Sequence, residues 1–275
     1  VSNRISFYKM SGSGNDFVML DGREHAVDAW PTERIRAACD RRDGIGGDGL
    51  VIVAPERPDA VRMHYFNADG RRAEMCGNAA LCSTRLAARL GLFPGPDLDL
   101  LTDSGPMRTR CAGPGDLAEL NLGSIPIPAD VTGVDREPGE TRMALGTVGV
   151  PHLVVLVDDI EAVNVRVRGR ALRHHTAFQP KGANANFVAP PPTGERRWRI
   201  RTFERGVEDE TLACGTGTVA AALALAGWGL SPLPTEFVSR GGAPLAVSGL
   251  IEGSQSRDTW LCGQGRLVFE GTYSG

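Results

Sequence analysis

The sequence predicts an α+β protein built from two similar halves, each a sheet packed around one long helix. Three observations predict it. Segments of the first half recur in the second at a nearly constant spacing. Short apolar or alternating runs far outnumber helical patterns. Each half carries one Ala/Leu-rich helical stretch that opens on Cys-Gly. The number of strands argues against a doubly wound parallel sheet, in which strand and helix alternate throughout.

The repeat is read from five matches in one order. "FVMLD" at 17–21 falls opposite "VVLVD" at 154–158, and Leu50 and Val51 fall opposite Phe187 and Val188. Phe66 matches Phe203, and "LTDSG" at 101–105 matches "VSRGG" at 238–242, all 137 residues apart. Cys76-Gly77 and Cys214-Gly215 are 138 apart. Two lobes are therefore expected, residues 1–130 carrying Cys76 and residues 131–275 carrying Cys214, with the last strand free to return to the first lobe. "PIPADVTGVDREPGETR", 126–142, reads as the linker.

In chain order, apolar or alternating runs place strands at 16–20, 49–53, 61–66, 98–102 and 117–122. The second half repeats the pattern at 153–157, 186–189, 197–203, 235–239, 244–248 and 265–270. Helical periodicity places helices at about 31–41, 77–90, 160–172 and 215–228, with Gly and Pro between the elements.

Composition narrows the function. A net charge of −3 with scattered arginines gives no footprint for nucleic acid or for a membrane surface. The N-terminus "VSNRISFYKM" lacks the features of a signal peptide, and the longest apolar run, Val219 to Ala226, is too short to span a bilayer. Six cysteines without a CxxC pair, in a chain this long, suggest reduced thiols and a cytoplasmic protein. No Cys/His group has zinc-ligand spacing. "GIGGDG" at 44–49 matches a dinucleotide fingerprint in form only, because it follows a helical pattern and leads into a strand.

The chemistry centres on Cys76 and Cys214. A helix N-terminus has unpaired N–H groups and the positive end of the dipole, which favour a thiolate and bind a carboxylate. Gly77 and Gly215 allow close approach of backbone to a ligand. Two such thiols facing one bound carbon suggest stereoinversion: a thiolate removes a proton from one face and a thiol delivers one to the other. Paired helix N-termini would stabilise the charge growing on the substrate carboxylate, with no cofactor and no metal. Cys39, Cys82, Cys111 and Cys262 read as space-filling thiols.

On these motifs the chain resembles the diaminopimelate epimerase family of cofactor-independent amino-acid epimerases. The resemblance lies in "KMSGSGNDFVMLD" (9–21), "DRRDGIGGDGL" (40–50), "FNADGRRAEMCGN" (66–78), "GVPH" (149–152), "ANANF" (183–187) and "FERGVEDETLACGTG" (203–217). It implies two pseudo-symmetric domains, each a mostly antiparallel sheet or barrel around a central helix, with the site between them, and a homodimer. It implies Cys76 and Cys214 as the catalytic acid and base, with His152 and Glu204 supporting them. It implies Asn15, Asn67, Asn184, Glu204 and Arg205 as substrate-holding residues, with Gly77, Asn78, Gly215 and Thr216 around the reacting carboxylate. The implied reaction converts LL- to meso-diaminopimelate, in the making of lysine and peptidoglycan precursors.

The sequence departs from the family pattern at Ser11 and Ser13, at Gly49 where some members have Gln, at Leu81 where an Arg is usual, and at Val150. The segment from Glu204 to Cys214 is one residue longer than the common form "ERGVGET". These departures bear on the far end of the pocket and leave open a same-fold racemase of another amino acid. A double-bond isomerase is disfavoured by the retention of both cysteines. A ligand-binding homologue without turnover is the alternative from another class.

Overall fold

The computed structural model describes residues 4–113 and 115–274. The chain forms two compact units, one of Val1–Asn121 with Cys262–Gly275 and one of Leu122–Leu261. The sequence predicts a boundary at 130/131. The structure divides the chain earlier because Ile125–Pro126 and Ala129–Asp130 pair with strands of the second unit, at Gln255–Ser256 and Ala144–Leu145. The supposed linker is thus partly strand.

In the first unit, Arg4–Gly12 pairs antiparallel with Asn15–Asp21 and with the last strand, Arg266–Ser274. Asn15–Asp21 runs parallel to Gly49–Arg57, which is antiparallel to Ala60–Asn67, and that strand is parallel to Asp97–Thr102. Gly105–Cys111 and Leu117–Asn121 follow antiparallel. Alternation along these strands feeds two cores. Phe17, Met19, Val51, Val53, Val61 and Met63 pack on helix α2, Gly77–Arg89. Val18, Leu20, Leu50, Ile52 and Phe66 pack with Ile35 and Ala38 of helix α1, Thr32–Cys39. With both faces covered, the strands read as continuous apolar runs.

The second unit repeats this plan. Glu140–Val148 is antiparallel to Val150–Val157, which is parallel to Asn184–Ala189. Trp198–Glu204, Thr235–Ser239 and Pro244–Glu252 follow in antiparallel, parallel and antiparallel pairings. One face packs on helix α4, Gly215–Gly227, through Val154, Val188, Ile200, Phe237 and Leu245. The other packs with helix α3, Val165–Arg173, through Leu153, Val155, Phe187 and Phe203. Helix α4 is buried without interruption from Gly217 to Leu225, as an apolar helix inside a sheet must be.

The parallel pairings repeat in register. Phe17 faces Gly49 as Val154 faces Asn186, and Ala60 faces Asp99 as Trp198 faces Phe237. The antiparallel hairpin does not: Leu50 faces Phe66, whereas Phe187 faces Arg201 and Phe203 faces Ala185. A slip of two residues keeps Phe203 on the face that Phe66 occupies.

Several strands went unread. Arg4–Gly12 alternates buried Ile5 and Phe7 with exposed Arg4 and Ser6, so it lacks an apolar run. Gly105–Cys111, Glu140–Val148 and Gln255–Gln264 are likewise rich in polar residues. Helix α3 begins at Val165, not 160. Asn164 caps it by accepting from the Val167 N–H at 3.3 Å, and the Ile160 carbonyl instead accepts from Arg201 at 2.9 Å. Among the described residues, no helix is long and apolar enough to cross a membrane.

Candidate active site

In each unit, expected site residues gather at the mouth of the central helix. In the first, Cys76 is the N-cap of α2 with extended backbone, φ −145° and ψ 120°. It follows the short strand Arg72–Ala73, which pairs with Phe66 and Tyr65 and so carries the chain back beside the end of strand Ala60–Asn67. Asn67 ends that strand and its Oδ1 accepts from the Tyr65 hydroxyl at 2.9 Å. Burial raises the Tyr65 pKa first, and the charge of Cys76 and a hydrogen bond with it raise it further. Tyr65 is a neighbour of the thiol that the sequence reading missed. The available signal was its place two residues before Asn67 on a strand, hence on the same face.

Asn15 and Asn78 come together, with Asn78 Nδ2 donating to Asn15 Oδ1 at 2.8 Å. Around them stand Lys9, Asp16, Arg41 and Asp48. Arg41 reaches Asp16 at 2.6 Å and Asp48 at 2.8 Å, and Lys9 reaches Asp16 at 2.5 Å. Burial would raise the Asp16 carboxyl, but hydrogen bonds from Arg41 and Lys9 outweigh it and hold it at about 2.

The departures find places here. Ser13, almost fully buried, accepts from the Gln264 N–H at 3.1 Å. Gly49 is required locally, since a Cβ there would lie 2.5 Å from the Phe66 carbonyl oxygen and 2.8 Å from the Tyr65 ring. Leu81 is fully buried in the α2 core, so it belongs to packing and not, as expected, to a pocket. Nothing in the structure explains Ser11 or Val150.

In the second unit, Cys214 is the N-cap of α4, again extended, with φ −130° and ψ 108°. Its Sγ lies 3.7 Å from Thr216 Oγ1, and Thr218 Oγ1 donates to its carbonyl at 2.8 Å. The expected lowering of the thiol pKa is not found at this cysteine. Burial pushes it up to about 12 and the Glu204 charge adds to the rise, while the Gly217 amide and Thr216 hydroxyl oppose it only in part. Desolvation outweighs the helix terminus, so Cys214 rests as a thiol. Glu204 itself is raised by burial, with the Thr211 hydroxyl opposing.

His152 lies in the parallel register opposite Asn184 and is fully buried. Its Nδ1 is 3.4 Å from Asn184 Nδ2 and 3.3 Å from Asn186 Nδ2, and its Nε2 has no hydrogen-bond partner among the described residues. Asn184 Oδ1 accepts from the Arg205 N–H at 2.7 Å. Asn186, also missed, donates to the Leu153 carbonyl at 3.0 Å and accepts from Thr202 at 3.0 Å. In the longer segment after Glu204, Glu208 takes a left-handed backbone, with φ 57°. The Glu208 carboxylate accepts from the Gly206 N–H and from Arg173, each at 3.2 Å, and lies 3.0 Å from His174.

Burial lowers His152 to about 4, with a Val148 backbone contact opposing and the Arg205 charge assisting. The ring is neutral at pH 7. The unfolded chain binds the proton that the folded ring refuses, so stability is full above the ordinary histidine value near 6.5 and falls as pH drops from there toward 4. Urea midpoints between pH 4 and 7 are expected to show this slope, and His152→Gln to flatten it. An equal slope in both proteins would refute the assignment.

The family model described as diaminopimelate epimerase matches residues 7–125 and 145–243. Diaminopimelate epimerase of Gemmatimonas aurantiaca is 43% identical over 98% of this chain and 100% of its own length. That of Aquifex aeolicus is 37% identical over 98% of each chain. In fold, the chain matches a Bacillus anthracis phenazine biosynthesis protein of the PhzF family with a TM-score of 0.72, at 15% identity over 98% and 99% of the two chains. It matches a hydroxyproline epimerase from Agrobacterium vitis with a TM-score of 0.63, at 17% identity over 98% and 92%. With near-complete coverage of relatives well above the identity at which only a fold is shared, the chain belongs to the diaminopimelate epimerase family.

Proposed function

We propose that this chain is a cofactor-independent epimerase that converts LL- to meso-diaminopimelate, with Cys76 and Cys214 as its acid–base pair. The observation that carries the reading is the duplicated helix mouth. In both units an extended cysteine caps the central helix and a glycine opens it. The proton balance is simple. The Cys76 thiolate takes the α-proton from one face of the carbon, and the Cys214 thiol gives its proton to the other. The configuration inverts and the two sulfurs exchange protonation states; loss of the Cys76 proton to water and gain of one by Cys214 from water reset the pair for the next turnover.

An α-proton is a weak acid, so the carbanion needs its charge spread into the carboxylate and stabilised there. The first-turn amides of α2 and α4 supply donors that have no partner within their helices. Asn78 and Thr216 add side-chain polar groups. Glu204 suits the substrate ammonium, and Arg205 with Asn15, Asn67 and Asn184 suits the second amino-acid end. We place the protein in the making of lysine and peptidoglycan precursors, acting on a small molecule as a homodimer.

The test is exchange in D₂O followed by NMR. LL- and meso-diaminopimelate are expected to lose an α-proton signal and interconvert, while histidine and proline do not. Exchange of another amino acid with neither diaminopimelate isomer would move the protein to a different substrate. No exchange with any would leave a binding protein.

A further inference from the structure

Asp48 stands at the centre of the polar cluster in the first unit. Its Oδ2 accepts from Asn15 Nδ2 at 2.9 Å and from the Asp16 N–H at 3.2 Å. Its Oδ1 accepts from Arg41 Nη2 at 2.8 Å. Its backbone is held at both ends, the N–H donating to the Asp16 carbonyl at 2.7 Å and the carbonyl accepting from the Ala68 N–H at 3.1 Å.

The two ends of an asparagine side chain are nearly alike in shape, and the partners decide which end is oxygen. A carboxylate accepts and does not donate. Asp48 therefore turns the NH₂ of Asn15 toward itself, and the oxygen of Asn15 is left to accept from Asn78 Nδ2 at 2.8 Å. That bond in turn engages one N–H of Asn78 and fixes which end of its amide is the NH₂ and which the oxygen. One carboxylate sets the polarity of two amides in series, and the second lies in the first turn of α2, two residues after Cys76.

We propose that Asp48 is a positioning residue for the epimerisation, orienting Asn15 and, through it, Asn78. Arg41 has a different task. It pairs with Asp16 and Asp48 and touches neither asparagine in any of these bonds. It holds the charges together without deciding the amide polarity.

The proposal rests on the reading of Asn15 and Asn78 as substrate-holding residues, so the test has one arm that needs no turnover. In the substrate-free protein, Asp48→Ala is expected to shift the side-chain amide resonances of both Asn15 and Asn78. In steady-state assays with diaminopimelate it is expected to raise KM about tenfold, the scale of a misplaced buried hydrogen bond, with a smaller change in kcat. Asp48→Asn should recover much of the KM, because its amide oxygen can take the place of the carboxylate oxygen. Arg41→Ala should lower the thermal midpoint and leave KM within about twofold. In an Asn15→Ala background, Asp48→Ala should add no further rise in KM. Unmoved resonances of both asparagines in Asp48→Ala, or KM effects of the two substitutions that add in full, would overturn the proposal. Shifted resonances with an unchanged KM would also overturn it, and would place the fault in the substrate-holding role of the asparagines.

Discussion

Cys214→Ala is expected to abolish epimerisation, by about 10⁴-fold or more, yet to retain slow exchange of an α-proton with solvent. The asymmetry follows from the state of the thiol. Cys214 rests protonated, with burial and Glu204 pushing its pKa up to about 12. In the proposed scheme it is the resting acid, and Cys76 is the resting base. Without Cys214, Cys76 can still remove a proton and return a deuteron to the same face, which exchanges but does not invert. Cys76→Ala is expected to lose both activities, because the remaining thiol is a poor source of thiolate near pH 8. NMR in D₂O separates exchange from inversion in one sample. Substantial epimerisation by either single variant would sink the two-base scheme. Faster exchange by Cys76→Ala than by Cys214→Ala would reverse the assignment of acid and base.

Gly217→Ala is expected to destabilise the protein by about 2–3 kcal/mol, although alanine is the better helix former by about 1 kcal/mol. A Cβ at 217 would lie 2.1 Å from Asn186 Oδ1 and 3.2 Å from Cys214 Sγ. Asn186 cannot retreat. It is fully buried, its oxygen accepts from Thr202 and its NH₂ donates to the Leu153 carbonyl, and it lies 3.3 Å from His152 Nδ1. The added methyl therefore pushes on the thiol and the histidine together, and activity should fall with stability. Gly77→Ala is the control for stability, since the nearest atom to a Cβ there is Leu120 Cδ1 at 3.9 Å. Denaturant midpoints compare the two. Equal midpoints for Gly217→Ala and the parent chain would show that the Asn186 cluster yields more readily than its hydrogen bonds imply.

The parts of the fold that sequence made legible are those written in local apolar patterns. Helices α2 and α4 were read to within a residue or two of their observed limits, because an Ala/Leu run behind Cys-Gly has no other element to be. Strands buried on both faces were read from apolar runs such as Gly49–Arg57 and Val150–Val157. The strands that escaped have one polar face or are rich in polar residues, as Arg4–Gly12 and Gly105–Cys111 are, so neither leaves an apolar run to read. In the candidate site, the cysteines, His152 and most of the polar residues lay in recognisable motifs. Asp48 and Asn186 did not stand out, because each acts on residues that sequence does not place beside it, Asp48 on Asn15 and Asn186 on Leu153 and Thr202.

By itself, the sequence determined the duplication and the two helix mouths, since capping is decided within three or four residues of the cap. Tertiary structure decided the hairpin slip, the core role of Leu81 and the protonation of Cys214. It also assembled Lys9, Asp16, Arg41 and Asp48 around Asn15. The physical reason is common to these cases: desolvation and charge pairing depend on which distant segments exclude water from a group, and that is settled only when the sheet has closed over its helix.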